Sequence, residues 1–78
     1  MIRFIQYNQT TGIITKSGGV SNRDVGNYIP MGEARLVLVP EGYELPEGVS
    51  RIDLWNIPRD VDVDYEVDLN NLTLNAKT

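Results

Sequence analysis

The stretch Ala34-Arg35-Leu36-Val37-Leu38-Val39 decides how this chain is read. A nearly continuous apolar run of this length fits a strand buried on both faces, and such a strand takes a central place in a sheet. The other segments are placed around it.

Upstream, residues 2–7 and 13–17 read as two strands joined through Asn8-Gln9-Thr10-Thr11-Gly12. A glycine-containing loop of this length between apolar segments is a hairpin signal. Gly12 supplies the positive φ that closes it. Phe4, with Ile2 or Ile5, and Ile13 or Ile14 give the hairpin an apolar face. Ser17-Gly18-Gly19 is expected to end it. Ser21 and Asp24 then form a loose capping box, with Val20 and Val25 at the positions of a hydrophobic staple. Gly26, Asn27 and Pro30 forbid a long continuation. One helical turn, or an ordered loop, is predicted over residues 21–28.

Downstream, Pro40-Glu41-Gly42 and Pro46-Glu47-Gly48 form an echo. Pro at i+1 and Gly at i+3 predict two type I turns. Residues 51–57 read as a fourth strand, with Ile52 and Leu54 on one face, Arg51, Asp53 and Trp55 on the other, and Pro58 as its stop. Residues 61–69 alternate: Val61, Val63, Tyr65, Val67 and Leu69 face one way, and Asp62, Asp64, Glu66 and Asp68 the other. This period-2 pattern predicts a fifth strand. Asn70-Asn71 reads as a tight turn, because Asn tolerates positive φ. Residues 72–74 return as a short final strand, and 75–78 are expected to fray.

Composition agrees. Eight Val, seven Ile and five Thr stand against two Ala and two Lys, a balance that suits pleated strands over helices. The sequence therefore predicts a mainly-β single domain over residues 1–78: an antiparallel sheet of five or six strands with terminal hairpins and at most one short helical turn. At 78 residues the core is small. Such a chain buries only about 60% of its unfolded surface, and its core stabilises it by about 3–5 kcal/mol. Disulfides and thiolate metal sites require cysteine, and the sequence has none. Association with partner subunits is the support that remains, the alternative being a marginally stable monomer.

The same arithmetic excludes function classes. Without histidine or cysteine there is no Ser–His–Asp or Cys–His catalysis. A net charge of −4 argues against a nucleic-acid binder, which needs a Lys/Arg surplus. The longest uninterrupted apolar run, residues 36–39, is far below the ~20 residues of a membrane span, and residues 1–6 lack a signal-peptide core. The expectation is a non-enzymatic chain with no cofactor, no nucleic acid and no membrane, kept in the cell or built into a particle there. Gly18-Gly19 is not followed by a phosphate-loop pattern.

Charge is uneven. Residues 41–68 carry a net −7 and residues 1–40 a net +2. Asp60, Asp62 and Asp64 superficially open like a calcium loop, but Tyr65 and Asn71 stand where that loop needs Gly and Glu. The acidic face is read instead as a solvated strand face, or as a docking face for a basic partner. Trp55 and Tyr43 are candidate aromatic anchors for a partner. With Arg51, Asp62, Asp64 and Glu66 they make up the predicted partner-binding set.

The two ends also resemble each other. Residues 7–14 have the look of a Y-[DN]-x-x-T-G-x-I hairpin, and residues 65–74 are similar to a V-D-x-x-T-x-x-L hairpin. A chain with such a hairpin at each end resembles the small tail- and virion-associated structural proteins of tailed bacteriophages. The likeness covers about the first 18 and last 14 residues. It implies a structural subunit, tail- or fibre-associated and bound to other virion proteins in multiple copies, assembled in the bacterial host cytoplasm. It brings no catalytic residues. A capsid decoration protein, or a small acidic phage protein that binds and inhibits a host protein, is the alternative.

Overall fold

The computed structural model describes residues 1–54 and 56–77. Six strands form two sheets. β1 (Ile2–Asn8), β2 (Ile14–Val20), β3 (Glu33–Leu38) and β4 (Val49–Arg51) make a four-stranded sheet in the order β2-β1-β3-β4. β5 (Tyr65–Asp68) and β6 (Thr73–Ala76) form a separate antiparallel hairpin. A 3-10 turn (Asn22–Asp24) follows β2, and a four-residue helix, α1 (Val61–Asp64), precedes β5.

The run at 34–39 is a central strand. β3 lies between β1 and β4, and its alternate residues serve two cores. Ala34 and Leu36 join Ile5, Tyr7, Ile14, Ile52, Ile57, Val61 and Val67 on one face. Val37 and Val39 join Ile2, Phe4, Val25 and Val49 on the other. The first face is covered by the β5–β6 end of the chain, the second by loop residues Val25, Ile29 and Leu45. Each fully buried Ile, Leu or Val contributes about 1.5–3 kcal/mol.

Several expectations are corrected. β4 runs parallel to β3, so the sheet is mixed and not wholly antiparallel. Ser17-Gly18-Gly19 does not end the first hairpin: β2 continues through Val20, with Gly18 opposite Phe4 and Gly19 opposite Arg3. The ladder is made of backbone, and a glycine opposite a large ring removes no pairing group. The predicted strand at 51–57 ends at Arg51. Ile52 and Ile57 lie in one core cluster but stand five positions apart, an odd offset that a regular strand places on opposite faces. The strand predicted over 61–69 is α1 followed by β5. Asp60 accepts from the N–H groups of Val63 and Asp64 (both 3.0 Å), and Val63 is 65% exposed where strict alternation would bury it. The two Pro-Glu-Gly turns place Pro at i and Gly at i+2 with φ of 85° and 82°, the left-handed residue of a type II turn. Asn75 and Ala76, expected to fray, end β6, and the Lys77 N–H donates to the Asp64 carbonyl at 2.8 Å. The helical turn predicted at 21–28 contracts to Asn22–Asp24. There the Ser21 hydroxyl bonds the Asp24 carboxylate at 2.9 Å and caps no backbone N–H.

The two hairpins share one loop design. Asn8 Oδ1 accepts from the N–H groups of Thr10 and Thr11 (2.8 and 3.1 Å), and the Asn8 carbonyl accepts from Gly12 (2.8 Å). Asp68 Oδ1 accepts from Asn70 and Asn71 (2.9 and 3.3 Å), and its carbonyl accepts from Leu72 (2.7 Å). The left-handed position is the fifth residue of each loop: Gly12 with φ 79°, and Leu72 with φ 54°. Asn70 and Asn71 were expected to hold that conformation. Leu72 holds it instead, and its packing against the core offsets the conformational cost. The hairpins also meet, because the Val67 N–H donates to the Gly12 carbonyl at 2.8 Å.

A Cβ on Gly12 would collide with the Val67 carbonyl oxygen, whereas one on Gly42 would meet nothing within 4 Å. Gly42→Ala is expected to cost about 1–2 kcal/mol, from backbone conformation alone. Gly12→Ala is expected to cost at least about twice that, because the junction must also open. Urea denaturation midpoints of the two variants check the order. A second expectation concerns acid. Hydrogen bonds from the Asn70 and Asn71 N–H groups hold the Asp68 carboxyl below its ordinary pKa. A depressed folded-state value means the contribution is present above the unfolded value of about 3.9 and is lost as pH falls through the folded value. Asp68→Asn, which copies Asn8, should flatten the acid limb of the stability profile between about pH 5 and pH 2.

Candidate functional site

The described members of the predicted partner-binding set lie on different elements of the fold. Tyr43 follows the first Pro-Glu-Gly turn, donates its N–H to the Pro40 carbonyl at 3.3 Å, and is 38% exposed. Trp55, its expected companion, lies outside the described residues. Arg51 ends β4. Its Nε donates to the Val39 carbonyl at 2.9 Å, and its Nη2 pairs with Asp53 at 3.4 Å. Asp62 and Asp64 stand exposed on α1, and Glu66 stands exposed on β5. The backbone carbonyls of Asp62 and Asp64 accept from Lys77, while their carboxylates have no hydrogen-bond partner among the described residues. No group of three His, Cys, Asp or Glu among the described residues is placed to hold a metal ion.

A better-formed site lies on the loop-covered face of the four-stranded sheet. The strand register sets two rows of side chains there. Lys16, Gln6 and Arg35 face one another across β2, β1 and β3, and Gly18, Phe4 and Val37 form the next row. Directly opposed residues share a face. Gly18 presents no side chain beside Phe4, and the loop carrying Asp24, Tyr28 and Pro30 stands over the rows. The result is a cleft of about 510 Å³ whose lining includes Phe4, Gln6, Lys16, Gly18, Tyr28 and Arg35. That volume lies within the range of small-molecule pockets, about 300–1,000 Å³.

Arg35 is the chemical centre of the cleft. It is only 4% exposed, and its guanidinium carbon lies 4.8 Å from the centroid of the Phe4 ring, in cation–π range. Nε donates to Gln6 Oε1 at 3.1 Å. Nη1 donates to the Asp24 and Val25 carbonyls at 3.2 and 3.0 Å. Gln6 is oriented in turn. Its Nε2 donates to Glu33 Oε1 at 3.2 Å, which leaves Oε1 facing the arginine. Glu33 Oε1 also takes the hydroxyl of Thr15, the extra residue of the bulge between the Gln6–Lys16 and Tyr7–Ile14 pairs. Arg35 makes no ion pair among the described residues. Burial lowers its pKa from the ordinary guanidinium value, yet a guanidinium stays charged at neutral pH. Nη2 has no partner among the described residues. Among the described residues no solvent-sealed side-chain nitrogen or oxygen lacks a partner, so Nη2 keeps some access to solvent, and Arg35 lines the cleft.

Sequence reasoning passed over this site. The signal was present: one charged residue inside the apolar run at 34–39, and one polar residue, Gln6, inside the apolar first strand. Buried charges are rare unless they are paired or used. The register that brings Gln6 opposite Arg35 is a property of the fold. Comparison with family models, curated proteins and solved structures returns no match to the chain.

Arg35→Met keeps the side-chain bulk but strands Gln6 Oε1 and two loop carbonyls. At about 1–3 kcal/mol for a buried unsatisfied group, a loss of about 3 kcal/mol is expected in urea denaturation. Arg35→Lys retains the charge but cannot span three acceptors, and an intermediate loss is expected.

Proposed function

We propose that the chain is a non-enzymatic structural subunit of a tailed-bacteriophage particle, tail- or fibre-associated and held to other virion proteins in multiple copies. The observation that carries this reading is the amount of large apolar surface left uncovered on a chain with two closed core clusters. Met31 is 102% exposed, Tyr28 87%, Val63 65% and Ile13 51%. A small domain gains most from burying such residues against a neighbour. The matched loops of the two hairpins support the resemblance drawn from the terminal sequences. No helix among the described residues is long and apolar enough to cross a membrane.

The exposed carboxylates of Asp62, Asp64 and Glu66 favour a second reading, an acidic phage protein that docks on a basic host protein. Decoration of the capsid is the alternative position for the chain within the particle. Mass spectrometry of purified particles separates these readings. The expected result is the chain at a fixed multiple of a tail protein. Recovery only from the soluble fraction of infected cells would replace the structural reading with the host-directed one, and a ratio fixed to the major capsid protein would indicate decoration.

A further inference from the structure

The geometry points to a carboxylate-binding site in the Arg35 cleft. The inference is independent of any role in a particle, because it rests on the cleft alone. Three features carry it. The guanidinium is held on Nε and Nη1, which leaves Nη2 as its one nitrogen without a partner among the described residues, on a side chain that lines the cleft. No carboxylate of the described residues neutralises the charge within 4.0 Å. The cleft has room beside the Phe4 ring, because Gly18, opposite Phe4 in the strand register, lacks a side chain and its Cβ position is 3.9 Å from that ring.

The ligand's charge is bounded from both sides. Arg35 offers one open nitrogen, and Lys16 adds a second cation at the exposed rim. Asp24 also lines the cleft, with its carboxylate engaged by Ser21 and Asn27 at 2.9 and 3.2 Å. Its negative charge disfavours a dianion. A singly charged carboxylate suits the one open nitrogen, through charge-assisted hydrogen bonding stronger than a neutral contact. The Phe4 ring and the exposed Tyr28 side chain provide apolar walls for whatever bears the carboxylate. That bearer is either a small organic acid or an acidic side chain of another protein chain.

The test is a titration of the isotopically labelled full chain, followed by the guanidinium resonances of Arg35 and the amides of Ser17, Gly18 and Gly19. Acetate and benzoate serve as small acids, a capped Ala-Glu-Ala peptide presents a side-chain carboxylate, and inorganic phosphate tests the dianion. Saturable shifts at Arg35 with a carboxylate, and weaker ones with phosphate at equal ionic strength, are expected. Tighter benzoate than peptide binding assigns a small planar acid, and the reverse assigns a protein side chain. Lys16→Glu should weaken carboxylate binding at least several-fold, while the charge-matched Arg59→Glu, outside the cleft lining, should not. The site is refuted if Arg35 shows no saturable shift with any carboxylate, if phosphate binds more tightly, or if the two charge reversals weaken binding equally. Lys16 is exposed on an edge strand, so its variant keeps the test valid even where Arg35 variants lose the fold.

Discussion

Burial of β1 and β3 on both faces is the constraint on which the remaining structure depends. A four-stranded sheet has only two interior strands, and in this chain both carry apolar residues on either side. Each face must therefore be covered, and few residues are left to do it. One cover is regular: α1 and the β5–β6 hairpin contribute Val61, Val67 and Leu74 over Ile5 and Leu36. The other is made of loops, with Val25, Ile29 and Leu45 over Phe4 and Val37. Loops cover less completely than a hairpin, so the cleft opens on the loop side.

Beyond this packing, a backbone hydrogen bond ties the regular cover to the first hairpin. The Gly12 carbonyl accepts from Val67, and close approach there leaves no room for a Cβ. The hairpin that closes the first sheet thus docks the second. A shared loop design makes this geometry repeatable, since an Asx side chain at the first position satisfies two turn N–H groups and leaves the outer carbonyls available. Asn8 does this as a neutral amide. Asp68 does it as a carboxylate, which makes the second loop sensitive to acid and the first indifferent.

How much of this was legible depends on whether a signal was local. The central strand was, because double-sided burial shows as an unbroken apolar run. Both hairpins were, because their loop chemistry lies within a few residues. The segment at 61–69 was misleading for a definite reason. Alternation shows which residues could share a face and is silent on where the chain must turn to reach the core. Here the turn falls at 59–60, Val61 is buried by a helical turn, and alternation survives only in β5. The parallel β4 was hidden too, since a short edge strand carries no mark of direction. The acidic residues were visible as a cluster, but the helical turn separates Asp62 and Asp64 from the strand that bears Glu66.

The site was the least legible part because it depends on register across three strands. Arg35 in sequence is one charge in an apolar strand. In the fold it meets Gln6, which meets Glu33, and the guanidinium gathers the loop carbonyls of Asp24 and Val25. Desolvating a cation costs several kcal/mol, a cost set against the three hydrogen bonds and the Phe4 contact that the guanidinium makes. The arrangement is better understood through what it holds in place. The bonds from Nη1 fix the start of the covering loop, and the same loop carries Tyr28 and Pro30 to the wall of the cleft. Those bonds also leave Nη2 as the guanidinium nitrogen without a partner among the described residues. One buried cation therefore both positions the wall of the cleft and supplies the charge at its floor, which a purely structural residue would have no reason to combine.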